Sequence, residues 1–218
     1  MPATDLTVRY RRRVGRAAGL VMHPERLRRR MRWRRRRLAR ERLLSLLPAD
    51  CTCAEVGTWR GDFAAKILNV CNPGRLYLID SWEHRSEQEY SQASYGGKVQ
   101  DGQAGMDAIY EGVIDRFRTE IDTGQVVIVR ARSTQTAASL PDESLDWVYI
   151  DADHSYGAVK RDLEAYYPLV KSGGLLAGDD YGLDDRWFGQ GVTRAVDEFA
   201  ARCAGQKIIG TQFLLRKP

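Results

Sequence analysis

The chain has 218 residues, 43% hydrophobic and 29% charged, which is enough for one sizeable domain with a small appendage and a core that needs no disulfide staples. Cys51, Cys53, Cys71 and Cys203 lack zinc-type spacing, no apolar run approaches the ~20 residues of a membrane span, and the start MPATDLTVRYRRR has no apolar signal core, so the reading is a reducing, cytoplasmic setting. The net charge of +5 conceals a split: residues 1–44 carry 16 arginines against three acids, a net of +13, whereas residues 45–218 carry 18 basic against 26 acidic groups, a net of −8.

In chain order, residues 1–48 read as a basic helical extension. Pro24 and Glu25 stand near a helix start and Pro48 at its stop. Leu27, Met31, Leu38 and Leu43 loosely follow helical spacing, with Leu46 and Leu47 closing the run. The plain reading is a solvated helix whose thin apolar stripe docks on the acidic body or on a second subunit, which makes a homo-oligomer an expectation. The alternatives are phosphates of nucleic acid or a peripheral contact with an anionic surface. The aromatic interleaving of a single-strand reader is missing, since Trp33 stands nearly alone.

From Asp50 onward strands and helices alternate. CAEVG, RLYLID, QVVIVRA, LDWVYID and GGLLAGDD read as buried strands, separated by the helical stretches GDFAAKILNVC, MDAIYEGVIDRFRTEI, TQTAASLP and YGAVKRDLEAYYPLV. GVTRAVDEFAARC follows as a helix. KIIG and FLLRK then lie too close together for a crossover helix, so they add an antiparallel strand. This predicts an α/β fold over residues 49–218: a doubly wound, mainly parallel seven-stranded sheet with an antiparallel strand at its C-terminal end.

Ligands of such sheets bind at the carboxyl ends of the strands, and acids gather there: Glu55, Asp80, Asp151 and Asp179–Asp180. Glu55-x-Gly57-x3-Gly61 sits in a strand-to-helix turn where glycines allow a ligand close to the backbone. It is not a dinucleotide fingerprint, and many such turns carry two glycines. Asp80 follows the second strand, placed to accept the hydroxyls of a ribose, or simply to cap a turn. Asp151, Asp179 and Asp180 on adjacent tips would repel one another unless a hard dication such as Mg2+ joined them; the other reading is a helix cap plus exposed turn acids. His154, three residues past Asp151, is a candidate base.

AEVGTWRGDFAAKIL, LYLIDSWE, DWVYIDADHSYGAVKRDLEAYYPLVKSGGLLAGDDY and GVTRAVDEF together resemble class I S-adenosylmethionine-dependent methyltransferases. They are most similar to the small metal-dependent O-methyltransferases that act on sugar hydroxyls of macrolides and related glycosylated products. The resemblance runs from about residue 50 to the C-terminus. It implies S-adenosylmethionine as cofactor, with Gly57 and Gly61 bordering its methionine part, Glu55 contacting its amino group, Asp80 holding the ribose and Ser133 near the adenine. It implies Mg2+ or another divalent cation on Asp151, Asp179 and Asp180, and either His154 or Asp153 as the base. Residues 81–102 fall where the family places a mobile substrate lid, with Gly96–Gly97 suited to a hinge.

The expected activity is therefore Mg-dependent methyl transfer to a hydroxyl of a small-molecule sugar, oligosaccharide or glycosylated product. A phenolic or catechol acceptor is the alternative, with Tyr90, Tyr95, Trp187 and Phe188 available as aromatic walls. Nucleic-acid methylation is disfavoured by the acidic body and by the lack of an N-P-P-Y-type motif. A non-catalytic binding protein is the remaining reading.

Overall fold

A computed structural model describes residues 24–93, 95, 97–184 and 186–218. Residues 1–23 of the basic extension, and Gly96 of the expected hinge, lie outside the described residues. Residues Arg35–Pro218 form one compact unit, which holds every feature of the site described below.

Helix α1 (Pro24–Leu44) leads into β1 (Thr52–Val56), α2 (Asp62–Cys71) and β2 (Arg75–Asp80). After a single 3-10 turn at Gln88–Tyr90 come α3 (Gly102–Arg116), α4 (Arg118–Asp122), β3 (Val126–Arg130), α5 (Ser133–Ala137) and β4 (Leu145–Ile150). The chain finishes with α6 (Tyr156–Tyr166), β5 (Val170–Gly178), α7 (Gly191–Ala200), β6 (Gly205–Ile209) and β7 (Gln212–Arg216). The seven strands form one sheet in the order β3-β2-β1-β4-β5-β7-β6, in which β7 runs antiparallel to both of its neighbours, β5 and β6. This is the predicted fold class.

The two-residue period of the strands sorts the core into two layers. Cys53, Leu76, Leu78, Trp147, Tyr149 and Ala177 face one side, with Phe63 and Ile67 of α2 and Met106 of α3. Ala54, Val56, Ile79, Val148, Ile150 and Leu176 face the other, with Val159 and Leu163 of α6 and Val192 and Val196 of α7. The central strands are buried on both faces, so they read as continuous apolar runs.

The end of α1 belongs to the first layer. Ala39, Leu43, Leu44 and the following Leu47 are buried in it, and Leu43 and Leu44 are no more than 1% exposed. Burial of each of these leucines is worth about 1.5–3 kcal/mol. The buried face differs from the expected stripe, because Leu38 and Leu46 are exposed. The face that docks is 39–43–47, and Arg36 and Arg40 lie on the same side of the helix at the spacing that keeps residues in line.

Candidate active site

β4 and β5 are adjacent and parallel, so their carboxyl ends lie side by side, and Asp151 and Asp179–Asp180 follow them directly. Asp180 adopts a left-handed backbone (φ 63°), a conformation that aspartate tolerates better than most residues and that costs free energy all the same. His154 closes the cluster: its Nε2 lies 3.1 Å from Asp151 Oδ1 and 3.1 Å from Asp180 Oδ2. Its ring stacks on Phe188, with centroids 4.9 Å apart.

Asp179 has a full complement of partners. Its Oδ1 accepts from the Asp180 amide (2.7 Å), Thr211 Oγ1 (2.7 Å) and Gln212 Nε2 (2.5 Å). Gln212 Oε1 in turn accepts from the buried Tyr149 hydroxyl (2.8 Å). Thr211 and Gln212 come from the turn into β7, the strand beside β5, so the antiparallel strand builds the support for this acid.

The remaining oxygens face two arginines of α1. Arg36 Nε donates to Asp179 Oδ2 at 2.7 Å, and its Nη2 lies 2.9 Å from Asp180 Oδ1, an ion pair without hydrogen-bond alignment. Arg40 Nε donates to the same Asp179 Oδ2 at 2.8 Å, and its Nη2 pairs with Asp151 Oδ2. The Arg40 guanidinium also lies 5.0 Å from the Phe63 ring centroid, a cation–π distance. The reading of a solvated, arginine-filled helix with a thin docking stripe does not single out these two arginines. The signal that would have found them is their phase with Leu43 and Leu47.

The charges shape one another. Burial alone would raise the Asp151 pKa, but Arg40, His154 and Arg36 pull it below the usual carboxylate range. Burial, then the charge of Asp151, pushes Asp180 up. Burial would lower the His154 pKa, but its hydrogen bond to Asp151 and the charges of Asp151, Asp180 and Asp179 raise it. Burial works against both guanidinium groups, and the carboxylates outweigh it.

As a donor set, Asp151, His154 and Asp180 suit a metal in kind: one ligand atom from each lies within 4.8 Å of the others. They do not suit it in charge. Two guanidinium groups already offset two of the three carboxylate charges, and Asp179 has no oxygen left without a protein donor.

The residues expected around a nucleoside cofactor gather at the tips of β1 and β2. Glu55 is buried, its Oε2 has no partner among the described residues, and Thr58 Oγ1 beside it is likewise unpaired. Burial, and then the charge of Asp151, raises Glu55 well above the usual range. Asp80 accepts from the Trp59 amide (2.8 Å) and the Trp82 amide (2.9 Å), and its burial raises its pKa. The close approaches at Gly57 and Gly61 are to protein: a Cβ would stand 2.2 Å from the Asp151 carbonyl oxygen and 2.5 Å from the Phe117 ring. Ser133 donates to the buried Asp162, past the end of β3. A cleft of about 590 Å3 opens nearby, lined by Ser81, Glu83, Asp107, Arg130 and Arg132 among others.

Asp153 accepts from the Tyr90 hydroxyl (2.6 Å) and the Ser155 amide (2.8 Å). Tyr90 meets Trp187 at 5.0 Å and Trp187 meets Phe188 at 5.5 Å, an aromatic wall that ends at His154. Tyr95 packs elsewhere, 4.8 Å from Trp59. Gly97 lies tightly against Ser91, where a Cβ would come within 2.4 Å of the backbone oxygen.

A family model described as a methyltransferase domain matches residues 54–181. A segment of 57 residues is 42% identical to an uncharacterized protein of Acanthamoeba polyphaga mimivirus, covering 26% of this chain and 25% of that protein. The match thus spans about a quarter of the curated relative's length. Among solved structures, a structural-genomics target from Corynebacterium glutamicum is similar at TM-score 0.53 and 20% identity, covering 85% of this chain and 88% of the other. The O-methyltransferase NovP is similar at 0.54 and 20%, covering 86% and 79%. Spermidine synthase from Thermotoga maritima is similar at 0.51 and 14%, covering 80% and 55%. At these identities the likeness is one of fold. Among the described residues no helix is long and apolar enough to cross a membrane.

Proposed function

The chain belongs to the methyltransferase-domain family, and from that premise we propose that it moves the methyl group of S-adenosylmethionine to a hydroxyl of a sugar or glycosylated product. The observation that carries the reading is His154, set against two carboxylates at the carboxyl end of the sheet with an aromatic wall beside it.

When bound, S-adenosylmethionine supplies an electrophilic sulfonium methyl. The unpaired Glu55 Oε2 and Thr58 Oγ1 fit a polar ligand at the tip of β1, where Glu55 would meet the amino group and Gly57 and Gly61 would border the methionine portion. Asp80 would hold the ribose, with Ser133 and the neighbouring cleft on the adenine side.

His154 is the base in this reading. Carboxylates only accept hydrogen bonds, so the Nε2 between Asp151 and Asp180 carries the hydrogen, and the neutral ring presents its lone pair at Nδ1. As the acceptor oxygen takes the methyl group, its proton passes to Nδ1, and the two carboxylates stabilise the imidazolium that forms. Asp153 is the weaker candidate: although its burial opposes ionisation, Tyr90, Ser155 and Arg85 stabilise its charged form and lower its pKa. The divalent cation implied by the resemblance would fall on Asp151, Asp179 and Asp180; no step is assigned to it, because Arg36 and Arg40 already pair with all three of these carboxylates.

The aromatic wall of Tyr90, Trp187 and Phe188 favours a second reading, a phenolic or catechol acceptor, since planar rings stack there as readily as the apolar face of a sugar. Incubation with S-adenosylmethionine bearing a deuterated methyl group, across matched panels of glycosides and catechols, separates the two by mass spectrometry. Label in a glycoside supports the first reading, label only in catechols supports the second, and label in neither panel sinks both.

A further inference from the structure

We propose that Arg36 and Arg40 are resident counter-ions of the Asp151–Asp179–Asp180 cluster, occupying the place of a divalent cation, so that this chain works without one. The inference rests on the methyltransferase reading for its activity arm and on geometry alone for its binding arm.

Three observations carry it. The first is saturation: both guanidinium groups converge on Asp179 Oδ2, at 2.7 and 2.8 Å from their Nε atoms, while its Oδ1 is held by three further donors. A metal ion approaching Asp179 has to displace a charge-assisted bond, and such bonds are the strong ones. The second is charge. With two guanidinium groups set against three carboxylates the cluster holds only −1 beside the neutral His154, and a dication added to the arginines would turn it net positive, which a low-dielectric site penalises. The third is anchoring. Arg40 is one turn from Leu43 and Leu44, both no more than 1% exposed, so withdrawing its guanidinium means pulling a leucine pair out of the core. The C-terminal end of the helix, from Arg35 on, is therefore seated as a fixture of the domain.

Arginine suits this role. Its planar fork satisfies several carboxylate oxygens at once and keeps its charge at any working pH. Mg2+ would present a compact double charge in the same place; two guanidinium groups spread an equal charge over a wider face. The sequence pairs one arginine with each turn of the helix that passes the strand tips, at positions 36 and 40.

The test titrates Mn2+ into the full chain and follows the free-ion electron paramagnetic resonance signal, in parallel with methyl-transfer assays with and without EDTA. The wild-type chain is expected to bind no Mn2+ up to about 1 mM, the weak end of protein sites for hard cations. EDTA is expected to change its rate by less than about twofold. The Arg36→Gln/Arg40→Gln variant, stripped of its counter-ions, should gain stoichiometric Mn2+ binding. Arg36→Gln alone is the gentler change, because Arg36 is the more exposed of the pair, and it should show a partial gain where the double variant does not fold. Stoichiometric Mn2+ binding by the wild-type chain, or EDTA-sensitive turnover, overturns the inference while leaving the methyltransferase reading standing. A chain that methylates nothing tested is still decided by the Mn2+ titration.

Discussion

Gly210 lies directly beneath Ala39: a Cβ at position 210 would stand 2.9 Å from the Ala39 Cβ. The glycine sits in the β6–β7 turn at φ +62°, and the alanine sits between Arg36 and Arg40 on α1. The hairpin thus leaves room for the arginine-bearing face of the helix to come close. Gly210→Val adds both a clash and a left-handed β-branched residue, and is expected to cost about 2–4 kcal/mol. Urea unfolding measures it, and a variant within about 0.5 kcal/mol of wild type would show that the helix is not seated there.

His154→Ala should lower the methyl-transfer rate by about 100- to 10,000-fold, the usual contribution of a positioned base. Asp153→Asn should cost less, because Asp153 is engaged by Tyr90 and the Ser155 amide. Initial rates at saturating donor measure both. The reverse ranking would move the base to Asp153.

Asp162 gives a pH signature away from the acid cluster. It is 4% exposed, and burial raises its pKa to about 6 despite the hydrogen bond from Ser133. A folded value above the unfolded value of about 3.9 means that the folded state holds the proton more tightly. The resulting stabilisation is complete below about pH 4 and is lost as pH rises through about 6, an effect of about 2–3 kcal/mol. Asp162→Asn should flatten that part of the profile. Urea midpoints between pH 4 and 7.5 decide it, and parallel wild-type and variant profiles would refute the shift.

Glu55 is buried, and burial, then the charge of Asp151, raises its pKa well above the usual range. Glu55→Gln keeps the shape of the side chain and removes its ionisable group, and should leave the melting temperature within about 3 °C of wild type. In the proposed role it should weaken S-adenosylmethionine binding by about tenfold. Calorimetric titration of the donor tests this, with unchanged affinity removing Glu55 from the cofactor site.

The sheet was legible because its strands are short, continuous apolar runs punctuated by glycines and acids, and buried parallel strands have little freedom to read otherwise. The gathering of Asp151, Asp179 and Asp180 was legible too, since adjacent parallel strands must end at the same rim. What occupies that gathering was not. Arg36 and Arg40 belong to a run in which nearly every position is arginine, so residue type carries no information about which side faces inward. Only their phase with Leu43 and Leu47 does, and Leu38 and Leu46 blur it by staying outside. The glycines at positions 57 and 61 suit room for a ligand, and sequence alone does not distinguish that from room for Asp151 and Phe117.

The pairing of α1 with the strand tips also bears on where the catalytic unit begins. A chain started at residue 49 would keep every strand and every acid of the site, and would lose both guanidinium groups together with Leu43, Leu44 and Leu47. Three neighbouring carboxylates would then share only one imidazole, above an opened patch of core. Such a truncation is poised to scavenge metal ions from its buffer, so a metal requirement measured on it would belong to the cut and not to the protein.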